Sequence, residues 1–170
     1  MLLALDIGNT NISVGVFDGD AGPDHTPSAT WRIATDRDRM PDEYGLLLSN
    51  LLSMKGYSVG DISSAAICSG VPPLTPVFQQ LCTGLFGVKP MVVGAGVKTG
   101  VRILYDSPRD VGADRIADAA AALTLYGGPA IVVDFGTATV FDAISADSEY
   151  VGGAIAPGIS VAADSLYHST

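Results

Sequence analysis

Ile131-Val132-Val133-Asp134-Phe135-Gly136-Thr137-Ala138-Thr139 repeats, 128 residues later, the pattern of Leu3-Ala4-Leu5-Asp6-Ile7-Gly8-Asn9-Thr10-Asn11. In each copy an apolar run delivers an aspartate, one apolar residue, a glycine, and then small hydroxyl or amide side chains. A strand, a polar turn and a second strand are the natural reading of both. The second strand is expected to close on Phe-Asp each time, at Phe17-Asp18 and Phe141-Asp142. A repeat at this separation predicts two related lobes and not a solenoid, whose periods run at roughly 20–50 residues.

Working outward from the first copy, Ala29 to Thr35 reads as a third strand. Pro41-Asp42-Glu43 opens a helix with Tyr44, Leu47, Leu48, Leu51 and Leu52 on one face. A strand over Ser64 to Ser69 follows, and then a second helix, with Thr75 as its cap and Pro76 as its first residue. Its stripe is Leu74, Val77, Phe78, Leu81, Cys82, Leu85 and Phe86, and Gly87 stops it. Met91 to Val93 is a short strand, residues 94–110 a glycine-rich connection, and Val111 to Tyr126 an alanine-rich helix. The second copy runs through a third strand at Tyr150 to Ile155 and the start of a helix after Pro157-Gly158. The division expected is a lobe over 1–110 and a linking helix with a partial lobe over 111–170. Matching the halves leaves the second lobe truncated, short by something on the order of 80 residues.

The chain has 170 residues, 48% hydrophobic and 16% charged, enough apolar material for a core. A net charge of −9 argues against broad binding to nucleic acid, which needs a basic surface. No run approaches the roughly 20 apolar residues of a membrane span. Cys68 and Cys82 are read as core thiols of a cytoplasmic protein, not as a disulfide.

A strand ending in Asp-x-Gly-Thr/Asn is a phosphate device. The glycine lets the backbone approach an anion, and successive N–H groups can form a concave nest. Thr10, Asn11 and Ser13, or Thr137 and Thr139, add polar contacts. Asp6 and Asp134 beside phosphates call for a metal ion. One such turn is usually only a hairpin; two in matching frames could hold a triphosphate between the lobes. Asp134-Phe135-Gly136 is not the protein-kinase metal motif, because no HRD loop or G-x-G-x-x-G loop precedes it. Gly94 to Gly100 fails the P-loop pattern because Lys98 does not follow the required glycine, leaving a flexible connection or a lid. His25 and His168 have no partners at metal spacing. Gly112-Ala113-Asp114-Arg115 opens the alanine-rich helix, with Asp110 or a neighbour as a candidate cap. There the free N–H groups suit an anion, Arg115 can grip a carboxylate and Asp114 can accept a hydroxyl proton. The plainer alternative is that Asp114 complements the helix dipole and Arg115 makes a surface pair.

Read together, DIGNTN at 6–11, WRIATDRDRMPDEYG at 31–45, Val71-Pro72-Pro73, GVKTG at 96–100, ILYDSPRDVGADRI at 103–116, VVDFGTAT at 132–139 and YVGGAIAPGI at 150–159 resemble type III pantothenate kinases. The resemblance implies α/β architecture, with the ribonuclease H-like duplicated lobes of the actin/hexokinase-like ATPase superfamily. It implies ATP-dependent phosphorylation of pantothenate on its 4′-hydroxyl, the first step of coenzyme A synthesis. Carried over by position, Asp6, Ile7, Gly8, Asn9, Thr10, Asn11, Ile12, Ser13 and Thr137 would bind ATP. Tyr105, Gly112, Ala113, Asp114 and Arg115 would bind pantothenate, with Asp114 the general base. Asp134 would hold a monovalent cation (K+ or NH4+), Mg2+ would accompany the nucleotide, and the protein would be a cytoplasmic homodimer. The alternatives are a non-catalytic regulatory relative, which loss of the acidic base would favour, and an inactive fragment of the kinase.

Overall fold

In the computed structural model, residues 1–19, 26–94 and 96–169 are described, and the chain divides into two compact units, Met1–Val93 and Gly94–Thr170. Asp20 to His25, Ala95 and Thr170 lie outside the described residues, and with them most of the 20–28 loop.

The first unit begins with an antiparallel meander: β1 (Leu2–Ile7), β2 (Asn11–Phe17) and β3 (Ala29–Ala34). Strict alternation sends Leu3, Leu5, Ile7, Ile12, Val14 and Val16 to one face, where all are buried. Helix α1 (Pro41–Met54) then crosses over to β4 (Ser64–Ser69), and α2 (Leu74–Leu85) to β5 (Met91–Val92). Parallel pairing of β1 with β4 requires such a crossover. The sheet order is β3-β2-β1-β4-β5. Tyr44, Leu48 and Leu52 of α1 join Leu74, Phe78, Leu81 and Cys82 of α2 in the core against that face. Helix α2 starts at Leu74, with Pro73 at the cap position, so Thr75 and Pro76 lie inside its first turn. The Val71-Pro72-Pro73 turn already nucleates the helix, with Leu74 N–H donating to Val71 O. Cys82 is fully buried as expected, whereas Cys68 is half-buried because β4 turns it to the sheet's other face.

The second unit holds β6 (Arg102–Ile103), α3 (Ala113–Tyr126), β7 (Ala130–Phe135), β8 (Ala138–Ile144), β9 (Glu149–Pro157) and α4 (Ile159–Ser169). Strands β7, β8 and β9 form a meander like β1–β3, and β6 joins β9 in parallel, giving the order β6-β9-β8-β7. Strand β6 lies inside a segment read as connection, because two residues are too few to leave a period. Helix α3 packs on β7 and β8 and buries Ile116 and Ala119. It begins at Ala113 with Gly112 at the cap position, so neither Val111 nor Asp110 opens it through a side chain. Ile131, Val133 and Phe135, alternate residues of β7 and so on one face of the strand, are exposed, Phe135 by 70%.

The repeat is real in space but shifted by one residue after the turn. Asp6 pairs with Ser13, whereas Asp134 pairs with Val140, so the second turn is one residue shorter. Strand β8 therefore aligns Phe17 with Ile144, and Phe141-Asp142 falls in mid-strand. The expected Phe-Asp correspondence is a coincidence of letters, and it hid the separate role of Asp142 described below.

Candidate phosphate turns and the opening of α3

In the first unit, Gly8 N–H donates to Asn11 O at 3.0 Å, closing a turn that leaves Asn9, Thr10 and Asn11 exposed. A side chain at Gly8 would press on Asn11 O at 3.0 Å, so the turn is tight at this glycine and would have to shift to take a larger residue. Ile7 and Ile12 flank it with side chains wholly in the core, so they can offer a ligand only backbone atoms. Asp6, Ser13 and Arg32 stand in one cross-strand row on the opposite face, next to Cys68 on β4. These four line a cavity of about 720 Å³ within this unit.

The turn is braced from the segment between β3 and α1. Thr35 N–H donates to Thr10 O at 3.0 Å and its hydroxyl to Gly8 O at 2.6 Å. Arg37 reaches Asn9 Oδ1 at 2.7 Å. The segment is itself pinned by the fully buried Tyr44, whose hydroxyl donates to Asp36 O and accepts from Asp36 N–H. Neither Thr35 nor Arg37 stands out as a site residue in the sequence; the signal that could have found them is the polar run Thr35 to Arg39 between the third strand and the first helix.

In the second unit, Gly136 N–H donates to Ala138 O at 2.9 Å and closes the other turn. Its brace comes from the equivalent place, the residue just after the third strand. Gly158 N–H donates to Thr137 O at 3.1 Å, as Thr35 does to Thr10. Here the helix follows at once, since Gly158 O accepts the N–H of Ala162 in α4. A side chain at Gly158 would run into the carbonyl oxygens of Gly136 and Thr137. Asp134 and Thr137 are exposed, and Thr139 donates its hydroxyl to Pro157 O.

The opening of α3 is the third feature. Asp114 is exposed, and its carboxylate folds back over Gly112, where its Oδ1 accepts Arg115 N–H at 2.9 Å. A β-carbon on Gly112 would meet that oxygen, so the Asp114 carboxylate could fold back this way only over a glycine and would otherwise have to swing aside. Arg115 is 16% exposed and turns inward to Asp142, which is 2% exposed. Its Nε and Nη2 donate to Asp142 Oδ1 at 2.8 and 2.5 Å. The Tyr150 hydroxyl donates to the same oxygen at 2.6 Å. Arg115 is thus no surface pair. Burial works against its charge, but the Asp142 carboxylate outweighs it and holds the guanidinium above its ordinary pKa. Burial, then Asp142 beside it, pushes the Tyr150 hydroxyl well above the usual phenol range, so it remains a donor. The Tyr105 ring lies against Gly152, the neighbour on β9 of Gly153, on which the Arg115–Asp142 pair packs.

A family model described as type III pantothenate kinase matches residues 2–170. The chain belongs to the type III pantothenate kinase family. It is 52% identical over 167 residues to type III pantothenate kinase 2 of Symbiobacterium thermophilum and 52% identical to the type III pantothenate kinase of Moorella thermoacetica. Each match takes in 98% of this chain, which spans 61% and 64% of those relatives' lengths. Among solved structures, the Baf family transcriptional activator of Campylobacter jejuni superposes with a TM-score of 0.57 at 20% identity, covering 99% of this chain and 60% of that one. At that identity the likeness speaks for the fold alone. Each unit has the α/β character, a strand meander with helices, that the resemblance implied. Among the described residues of this family member, no group of three or more His, Cys, Asp or Glu side chains could hold a metal ion. Nor is any described helix long and apolar enough to cross a membrane.

Proposed function

We propose that the protein phosphorylates pantothenate with ATP, yielding 4′-phosphopantothenate, the first step of coenzyme A synthesis, as a cytoplasmic homodimer. The observation that carries this reading is that the family match takes in both Asp-x-Gly turns and the opening of α3 in one chain. Phosphoryl transfer asks a protein mainly for positioning and charge neutralisation, with a base to take the hydroxyl proton. In this reading Asp6 to Ser13 and Thr137 contact ATP, the exposed backbone and hydroxyls of the braced turns facing its phosphates. Tyr105, Gly112 and Ala113 line the pantothenate pocket. Arg115 offers its remaining N–H groups to the substrate carboxylate. The Oδ2 of Asp114 takes the 4′-hydroxyl proton, since Oδ1 is the oxygen engaged by Arg115 N–H.

The residues fit the ions that such chemistry uses. Magnesium is commonly held by one or two carboxylates plus substrate phosphates rather than by a protein cage. Asp6, near the end of β1 and lining the cavity of the first unit, is a carboxylate suited to that role. Asp134, exposed beside the glycine turn, is an oxygen donor suited to potassium or ammonium. The cations would neutralise charge on the transferring phosphoryl group. The test is ADP release that depends on pantothenate, with and without potassium, alongside calorimetric binding of pantothenate. Pantothenate-dependent turnover raised by potassium is expected. Binding without turnover would select the inactive alternative, and absence of both would overturn the reading.

A further inference from the structure

Asp142 and Tyr150, 2% and 1% exposed, form an enclosed polar cluster with Arg115 in the second unit. One carboxylate oxygen, Asp142 Oδ1, accepts three hydrogen bonds: from Arg115 Nε at 2.8 Å, from Arg115 Nη2 at 2.5 Å and from Tyr150 Oη at 2.6 Å. The guanidinium also sits 5.6 Å from the Tyr150 ring centroid. Space for this arrangement is kept by Gly153. A β-carbon there would strike Phe141 O and meet Arg115 Nη2 at 2.5 Å and Asp142 Oδ1 at 2.6 Å.

A guanidinium has two edges that can grip a carboxylate, the side edge of Nε with one terminal nitrogen and the end edge of both terminal nitrogens. Asp142 takes the side edge and fixes the plane. The end edge, with Nη1, has no hydrogen-bond partner among the described residues, and it belongs to a residue in the first turn of the helix that carries Asp114. An arginine left to rotate would lose several rotamers on gripping a substrate; one already clamped loses fewer. A buried ion pair is weak evidence of stability for its own sake, since well-packed apolar groups often serve as well. Three donors converging on one oxygen behind a substrate-facing arginine are better explained by orientation.

We infer that Asp142, backed by Tyr150, is a positioning residue that presents the end edge of Arg115 to the carboxylate of the acidic substrate. The inference rests on the proposed function, because it takes pantothenate as the ligand. Its signature is selectivity for a carboxylate, which a purely structural role would not move.

The experiment compares binding of pantothenate with that of pantothenol, in which the carboxylate is replaced by an alcohol, by calorimetry on wild type, Asp142→Asn, Asp142→Glu and Tyr150→Phe. Wild type is expected to prefer pantothenate. Asp142→Asn is expected to weaken pantothenate by at least about tenfold, equivalent to ~1.4 kcal/mol, while leaving pantothenol nearly unchanged. Tyr150→Phe should shift the preference the same way by less, and Asp142→Glu should recover part of it. Retained preference in Asp142→Asn, or equal weakening of both ligands, overturns the inference. So does a wild type that binds the two equally well. If Asp142→Asn does not fold by circular dichroism, Tyr150→Phe decides, and an unchanged preference there is the contrary result. A wild type that binds neither compound brings down the proposed function itself, and this inference with it.

Discussion

At the residue scale, Asp114 and Asp134 were both legible as candidates, and the structure gives them different settings. Asp114 lies over a glycine at a helix opening with one oxygen engaged. Asp134 ends an exposed strand beside a glycine turn. Replacing Asp114 with Asn should therefore lower kcat by about 10²–10⁴-fold, the usual cost of losing a general base, with little change in ATP binding. An unaltered kcat would remove the base from the mechanism. Asp134→Asn should instead flatten the dependence of the rate on potassium, and an unchanged potassium titration would remove the cation role. The cysteines separate as well. Burial pushes the Cys82 thiol up to about 11, so at pH 8 it stays protonated and slow, while half-buried Cys68 lines an open cavity. Alkylation of the native protein at pH 8 should label Cys68 first, as read by peptide mass spectrometry; equal labelling would contradict the burial described.

At the element scale, the strands and helices were readable because their signals are local and periodic. β1 and β2 alternate strictly, and α1 and α2 carry continuous apolar stripes. What stayed hidden depends on distant partners. The two-residue β6 is defined by its pairing with β9, and the brace at Thr35 sits in a loop that Tyr44 pins through both backbone groups of Asp36. Asp142 was masked by the one-residue difference between the turns, which only the pairing registers reveal. The turns themselves were legible in outline, but not the shared device that holds each one through the residue after its third strand. Thr35→Val keeps the volume and removes the hydroxyl bond to Gly8 O, so it should cost about 1 kcal/mol in stability, the usual net value of one hydrogen bond. Chemical denaturation would check it. Gly153→Ala forces a side chain against a backbone oxygen and the Arg115–Asp142 pair, and should destabilise by ~1–3 kcal/mol. A melting temperature unchanged from wild type would contradict that packing.

At the scale of the whole chain, the two units share a strand plan but not a degree of burial. The first carries a continuous core of two helices on one sheet face. In the second, three alternating residues of β7 are exposed. Local opening costs least where few apolar groups are buried. Amides of β1, β2 and β4 should accordingly outlast those of β7 in hydrogen exchange, and the reverse order would contradict the contrast. Pantothenate kinase activity is tested most directly by formation of 4′-phosphopantothenate from ATP and pantothenate, followed by mass spectrometry for wild type and Asp114→Asn side by side. Product that depends on both substrates is expected with wild type, and a loss of about 10²-fold or more with the variant. Equal product from the two proteins, or none with wild type under potassium and magnesium, would contradict that expectation.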